Sequence, residues 1–355
     1  MKELEKVWLI TGCNGMDGSY LFDLLIEKGY TNLHGIIRRS SNFNTQRIEH
    51  IFGKIKLYYG DMTDAMSLHN IINKVKPDYI VNTAAQSHVA VSAELENYTI
   101  QVNTLGILNI LQSVKNLKLE KCRIYQCGTS EEFGNITDGS VLLNENTCKN
   151  PVSIYGVSKL AAENICNLYR DAYDMFVVCG TLMNHEGIRR GKTFISAKIT
   201  DYIGNYYNGK IKNPLELGNI YAKRDWSDSR DMVDGIFLMI TQDKPKNYLL
   251  SSGVCYSVKQ FVEYAFKEIG IIIEWKGEGI NEVGYEKLTG EILIKINSRY
   301  YRDIDIECLV GDSSKARKEL GWKPKIKFNQ LVKDMVADSI KQTAVPVFGE
   351  KCRCL

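Results

Sequence analysis

Two residues of this chain stand at a spacing that suits proton transfer. Tyr155-Gly156-Val157-Ser158-Lys159 sets a phenol and an ammonium four residues apart, on one face if the segment is helical. A free phenol titrates near ~10, and useful base strength at neutral pH needs a fall of about three units, roughly 4 kcal/mol. The neighbouring lysine is expected to supply part of that fall. A second set lies upstream, in Gln126-Cys127-Gly128-Thr129-Ser130-Glu131-Glu132-Phe133-Gly134. The Thr129 hydroxyl can hydrogen-bond a sugar-type hydroxyl. Glu131 is more unusual. A simple dehydrogenase or epimerase needs no further acid/base group there, whereas an enzyme that also removes a carbon-bound proton does. The plainer reading of Glu131 is a loop or helix-start carboxylate.

A third set could hold a cofactor for such chemistry. Gly12-Cys13-Asn14-Gly15-Met16-Asp17-Gly18 falls between an apolar run and a helical pattern. Glycines at that junction permit a tight turn and let backbone amides approach a pyrophosphate at a helix N-terminus. A glycine triplet alone says little, but strand, loop and helix fall here in the required order. The second apolar run ends in Arg38-Arg39-Ser40-Ser41. No carboxylate is there for a ribose 2′-hydroxyl, and two arginines with two hydroxyls suit a 2′-phosphate, which points to NADP. Its positive nicotinamide would share with Lys159 the task of lowering the Tyr155 phenol. Asp61 and Met62 can cup the adenine. The small residues of Thr83-Ala84-Ala85-Gln86-Ser87 leave room for a cofactor at a strand's carboxyl end. His88 follows them, and such a histidine is more often structural than catalytic.

The elements that must position these residues alternate. Apolar runs at 7–11, 33–37, 56–59, 79–81, 122–126 and 176–179 read as strands. Helical spacing is read at 20–28, 67–75, 102–114 and 155–173. Such alternation predicts an α/β fold, a Rossmann doubly wound parallel sheet covered on both faces. Beyond about residue 185 the rhythm loosens, and 210–228 and 277–305 look loop-rich. The predicted organisation is a cofactor domain over 1–185 with returning segments near 220–255. A smaller C-terminal α/β substrate-binding lobe takes 186–219 and 256–340, and 341–355 is a tail.

Composition is that of an ordinary globular protein, with 355 residues, 44% hydrophobic and 25% charged. The net charge of +3 argues against nucleic acid or an anionic membrane as partner. The ten cysteines form no C-x-x-C pair, so no metal site is expected. Scattered cysteines without a leader fit the reducing cytoplasm, and no apolar run is long enough to span a membrane. The end, Cys352-Arg353-Cys354-Leu355, is a poor prenylation box and reads as a surface tail.

On its longer motifs the chain resembles the GDP-mannose 4,6-dehydratase family of extended short-chain dehydrogenases/reductases. The matching stretches are TGCNGMDGSYL (11–21), HGIIRRSSNFNTQRIEH (34–50), YGDMTD (59–64), AAQSHVAVS (84–92), GTSEEFG (128–134), YGVSK (155–159), NHEGIRRG (184–191), LGNIYAKRDW (217–226) and YYRDIDIECLVGD (300–312). The resemblance implies a catalytic set of Thr129, Glu131, Tyr155 and Lys159. It implies NADP contacts from Arg38, Arg39, Ser40, Ser41, Asp61, Met62, Thr83, Ala84, Ala85, Gln86, Ser87, Tyr98, His185 and Arg190, besides the glycine loop and Lys159. It places a GDP-sugar against Ser87, Ser130, Glu131, Asn184, Lys198, Arg224 and Arg302. It also implies a homotetramer, or a homodimer, through the RRSS loop. Some positions depart from the family pattern. Glu132 and Phe133 stand where Leu-Tyr or Met-Phe is common. Ile154 replaces a proline, Gly187-Ile188 replaces Ser-Pro, and Ala197 replaces an arginine.

The implied reaction is an internal oxidation–reduction. Tyr155 takes the 4-hydroxyl proton while hydride passes from C4 to NADP⁺. Glu131 then removes the C5 proton, water leaves from C6, and hydride returns to C6. The product is a 4-keto-6-deoxy sugar, an entry to deoxysugar biosynthesis such as the GDP-fucose pathway. The alternatives are a GDP-heptose as substrate, a nucleotide-sugar 4-epimerase that does not use Glu131, and a non-catalytic NADP-binding regulator.

Overall fold

The structure is a computed structural model and describes residues 3–135, 141–300 and 308–344. Trp8–Thr11 forms β1, buried throughout. It runs through the glycine loop into α1, Met16–Glu27. β2 is Leu33–Ile37, β3 is Lys56–Tyr59 and α2 is Ala65–Val75. β4 is Tyr79–Asn82, followed by α3, Val89–Glu94, α4, Glu96–Ile100, and α5, Gly106–Asn116. β5 is Arg123–Cys127, α6 is Ile154–Tyr173 and β6 is Val177–Leu182. Tyr248–Leu250 adds a further strand beside β6.

These strands form one sheet in the order β3-β2-β1-β4-β5-β6 and then Tyr248–Leu250, every neighbouring pair parallel. The connections reverse direction beside β1, and open α/β sheets bind ligands outside the carboxyl strand ends at such a switch. β1, β2, β4 and β6 are buried at every residue because both faces are covered. Trp8 and Ile10 enter one buried cluster with α1, while Leu9 between them enters another with α2, α5 and α6. That is the period-two alternation of a strand.

Three expectations change. α1 starts at Met16 rather than at residue 20, because the glycine loop itself opens the helix. The helix expected over 102–114 is composite, since a π-helical turn, Gln101–Leu105, precedes α5. Such turns mark places where a side chain is re-aimed, and Asn103 and Thr104 within it are buried. The regions expected to be loop-rich contain strands at Leu215–Leu217, Lys223–Arg224, Val283–Glu286 and Ile292–Ile296. These strands are short and interleave apolar with charged residues, so only pairing organises them.

The chain divides into two compact units. The first comprises Met1–His185, Asp225–Cys255 and Ile306–Lys325, and the second Glu186–Arg224, Tyr256–Asp305 and Ile326–Leu355. The return to the first unit thus includes a stretch after 305 that the sequence reading gave to the substrate lobe. Packing explains it: Leu309 joins a cluster with Phe133 and Leu249, and Trp322 packs with Met232 and Ile236. Within the second unit, Ile273–Lys276, Val283–Glu286, Ile292–Ile296 and Leu215–Leu217 form a four-stranded sheet. Its closing helix, Phe328–Ala344, runs past residue 341, where the tail was expected to begin; the Cys352 and Cys354 end lies outside the described residues.

Candidate active site

The glycine loop is shaped by close approach. Gly12 has φ +63°, and a Cβ there would lie 2.7 Å from the Ala84 backbone. Only glycine lets β1 and the end of β4 come so near. The Gly15 amide donates to the Gly12 carbonyl at 2.8 Å and closes the turn. Gly15 then precedes α1 with no side-chain cap. The first amides of that helix are therefore available to a phosphate. Asn14 reaches out of the loop, its amide donating to the Asn44 carbonyl at 3.1 Å.

Several expected cofactor residues meet one another. Arg38 donates to the Tyr98 hydroxyl at 2.8 Å. Arg39, Ser40 and Ser41 continue the turn, with Arg39 and Ser41 exposed. The His185 ring faces the Asp17 carboxylate at 3.1 Å and the Met183 carbonyl at 2.8 Å. The Thr83 hydroxyl donates to the Thr11 carbonyl at 2.7 Å. Asp61 accepts from the Thr63 amide and hydroxyl at 2.9 and 2.8 Å. Met62 is buried and packs against Gly106. The Gln86 carbonyl accepts from Asn103 at 3.1 Å and its amide donates back to Asn103 at 2.9 Å. Ala85 lies between and Ser87 is exposed. His88 caps α3, its ring accepting from the Val91 amide at 3.4 Å, which agrees with its structural reading.

The catalytic candidates converge at the end of β5 and the start of α6. Thr129 caps the short 3₁₀ turn Ser130–Glu132, its hydroxyl accepting from the Glu131 amide at 3.4 Å. The Glu132 side chain closes the box by accepting from the Thr129 amide at 3.0 Å. Ser130 is buried, and its carbonyl accepts from the Phe133 amide at 3.1 Å. Ser153 caps α6 through the Gly156 amide at 3.0 Å. A Cβ on Gly156 would lie 2.5 Å from the Glu131 carbonyl, so glycine beside Tyr155 lets the helix rest on the Glu131 turn. Tyr155 is buried and Thr129 hydrogen-bonds its phenol. Lys159, also buried, donates to the Cys127 carbonyl at 2.9 Å and stands 5.9 Å from the Tyr155 ring centre.

Burial raises the Tyr155 phenol above its ordinary range, and Cys127 and the Glu131 carboxylate push it the same way. Only the Thr129 hydrogen bond opposes them. Lys159 spends its hydrogen bond on Cys127 rather than on the phenol.

One positioning residue, Asn103, lies outside every motif. Asn103, in the π-helical turn, donates to Gln86 and, at 2.9 Å, to Ser158. Ser158 in turn donates to the Tyr155 carbonyl at 2.7 Å. The Ser92 hydroxyl accepts from the Tyr155 amide at 3.2 Å. An asparagine and a threonine inside an apolar helical pattern were the visible signal.

Among the substrate candidates, Asn184 has a buried side-chain oxygen without a hydrogen-bond partner among the described residues. Buried acceptors are nearly always satisfied, so this one is open to a water or a ligand. In the second unit, Lys198 donates to the Glu216 carbonyl at 2.7 Å and lies 3.6 Å over the Tyr300 ring. Arg224 is buried and donates to the Lys223 carbonyl at 2.8 Å. Arg190 pairs with Glu186 at 2.9 Å and stacks 3.7 Å over Phe194. Arg302 lies outside the described residues. Among the described residues no cluster could hold a metal ion, and no helix is long and apolar enough to cross a membrane.

A Tyr-Lys pair on the helix after the fifth strand of a parallel Rossmann sheet, with a second unit built from later segments, defines an extended short-chain dehydrogenase/reductase. Solved structures agree on the fold. A dTDP-glucose 4,6-dehydratase from Streptomyces venezuelae, solved with NAD, matches with a TM-score of 0.80 at 20% identity, over 95% of this chain and 98% of its own. RMD from Pseudomonas aeruginosa, solved with NADPH, matches with a TM-score of 0.76 at 20% identity, over 96% and 100%. Relatives narrow the class. The GDP-mannose 4,6 dehydratase of Drosophila melanogaster is 44% identical over 346 residues, 95% of this chain and 87% of that one. The family model for GDP-mannose 4,6 dehydratase matches residues 9–335. The chain belongs to the GDP-mannose 4,6-dehydratase family.

Proposed function

We propose that this chain dehydrates GDP-mannose to GDP-4-keto-6-deoxy-mannose with NADP as its resident cofactor. The observation that carries the reading is the convergence of Thr129, Glu131, Tyr155 and Lys159 at one end of β5 and α6, in a member of this family. The coarser part is a nicotinamide cofactor. The uncapped α1 N-terminus and the Gly12 cradle fit its pyrophosphate, and Arg38 with Tyr98 fits a 2′-phosphate.

When bound, such a cofactor supplies a hydride acceptor for C4, a hydride donor for C6 and a positive charge near the Tyr155 phenol. Tyr155 takes the proton of the sugar's 4-hydroxyl. Lys159, anchored on Cys127, holds the cofactor's ribose side and keeps positive charge in the site. Thr129 holds the phenol and the 4-oxygen in line. Once C4 is a ketone, the C5 hydrogen is acidic, and Glu131 removes it as the C6 hydroxyl leaves. Two proton-transfer groups are needed for these two steps, which is why a carboxyl beside the Tyr-Lys pair separates a dehydratase from a 4-epimerase. Asn184, Lys198 and Arg224 bind the GDP-sugar. The protein works in the cytoplasm as a homotetramer, or a homodimer, built through the loop of Arg38, Arg39, Ser40 and Ser41.

Incubation of the protein with GDP-mannose, read by mass spectrometry, tests this. Loss of one water is expected, with deuterium at C5 exchanged for solvent hydrogen. Epimerisation with C5 deuterium retained, or no conversion despite cofactor binding, would overturn it.

A further inference from the structure

Behind the catalytic turn lies a buried ion cluster that the proposed reaction does not use. Glu132 is fully buried. One of its oxygens accepts the Thr129 amide at 3.0 Å, and the other takes the Lys149 ammonium at 2.6 Å. Lys149 also pairs with Glu163 at 2.5 Å and reaches the Thr181 hydroxyl on β6 at 3.4 Å. Glu163 lies on α6, four residues after Lys159 and eight after Tyr155. The cluster therefore ties the two halves of the catalytic set together. Glu132 belongs to the turn of Thr129 and Glu131, and Glu163 to the helix of Tyr155 and Lys159.

A buried ion triad is an expensive way to fill a core. Apolar groups of the same volume are commonly as stable or more so, whereas removing one partner leaves an uncompensated charge. The triad thus calls for a role other than stability. We propose that Lys149, held between Glu132 and Glu163, is a positioning residue that sets the Thr129–Glu131 turn against the helix of Tyr155 and Lys159. This rests on the proposed dehydration, in which Glu131 and Tyr155 act in successive steps on one sugar and must keep their spacing between them. The charge balance has a consequence. Burial raises the Glu132 carboxyl to about 7 and the Glu163 carboxylate adds to that, while Lys149 opposes both. Tyr155, Cys127 and Cys179 are the other groups on which the Glu132 charge acts. Protonation of Glu132 near neutrality weakens both the Lys149 pair and the Thr129 amide bond.

The test uses two variants of the full protein. In the triple variant Glu132→Leu/Lys149→Met/Glu163→Leu, an apolar core replaces the clamp. It should melt near the wild-type temperature, keep KM for GDP-mannose, and lose about ten- to hundred-fold in kcat, the scale of a displaced catalytic group. Unchanged kcat in the folded variant would overturn the proposal. Glu132→Gln keeps an acceptor for the Thr129 amide, so it guards against misfolding of the triple variant. The wild-type kcat profile is expected to show an ionisation near pH 7 that Glu132→Gln lacks, and the same profile in both proteins would count against the proposal. If the wild type converts no GDP-mannose, the reaction reading fails, and amide hydrogen exchange over 128–134 decides the clamp by itself. Exchange should be faster in the triple variant at equal melting temperature, and equal exchange would overturn it.

Discussion

The two units of this chain are built by different rules. In the first, strands are unbroken apolar runs, because helices cover both faces of a parallel sheet. β1 and β6 are buried at every residue. In the second, a strand such as Leu215–Leu217 alternates buried and exposed positions and carries a charge. The first unit holds its reactive groups through backbone and buried side chains: Thr129 in a capping box, Lys159 on a carbonyl, Tyr155 against Ser92. The second presents Lys198 over an aromatic ring and Arg190 in an ion pair. The contrast teaches that burial fixes polar groups through backbone and caps in the first unit, while in the second cations are held by ring faces and carboxylates.

Substitutions can break or sharpen that contrast. The largest effect is expected from Glu131→Gln, which should cut kcat by about 10³-fold, within the range for loss of a general acid–base group. Cofactor should stay bound, and water loss by mass spectrometry is the readout; undiminished turnover would remove Glu131 from the mechanism. Gly12→Ala should destabilise the first unit by roughly 2 kcal/mol or more, since it forces both a strained φ and a backbone overlap. Chemical denaturation and cofactor titration measure it together, and a wild-type result would mean that β1 and β4 can separate freely.

Arg38→Ala should raise the Kd for NADP⁺ about ten- to hundred-fold, the weight of a charge-assisted hydrogen bond, with little change for NAD⁺. Equal loss for both would mean that Arg38 does not read the 2′-phosphate. In the second unit, Lys198→Ala should raise KM about ten-fold and leave kcat alone, the signature of uniform binding lost. A fall in kcat instead would erase the distinction between the units. The smallest effect concerns pH. Glu132 has its carboxyl raised by burial to about 7 from an ordinary 4.5. Between those values the folded state holds the proton more tightly than the unfolded one, so stability falls as pH rises through that window. A drop of a few degrees in melting temperature is expected in the wild type, with a shallower slope in Glu132→Gln.

Much of the first unit was legible beforehand, for a physical reason. β2 falls where the apolar run placed it, because a strand buried on both faces writes its burial into consecutive residues. The same runs misplaced the start of α1, since glycine-loop backbone rather than side-chain pattern begins that helix. The composite helix before α5 was hidden because Asn103 looks like a polar interruption until Gln86 and Ser158 are seen to hold it. The strands of the second unit were missed because short alternating segments organise only when paired.

The residues by themselves determined the sheet, the glycine loop and the types of group available for chemistry, because each depends on local pattern or on a short spacing. Only the tertiary structure decided which groups face one another. It brought Glu131 onto the helix of Tyr155 through the close approach at Gly156. It anchored Lys159 on Cys127 and left the phenol raised. It joined Glu132, Lys149 and Glu163, which are far apart in the chain, into one cluster. Burial and charge act through space, and no spacing along the chain records them.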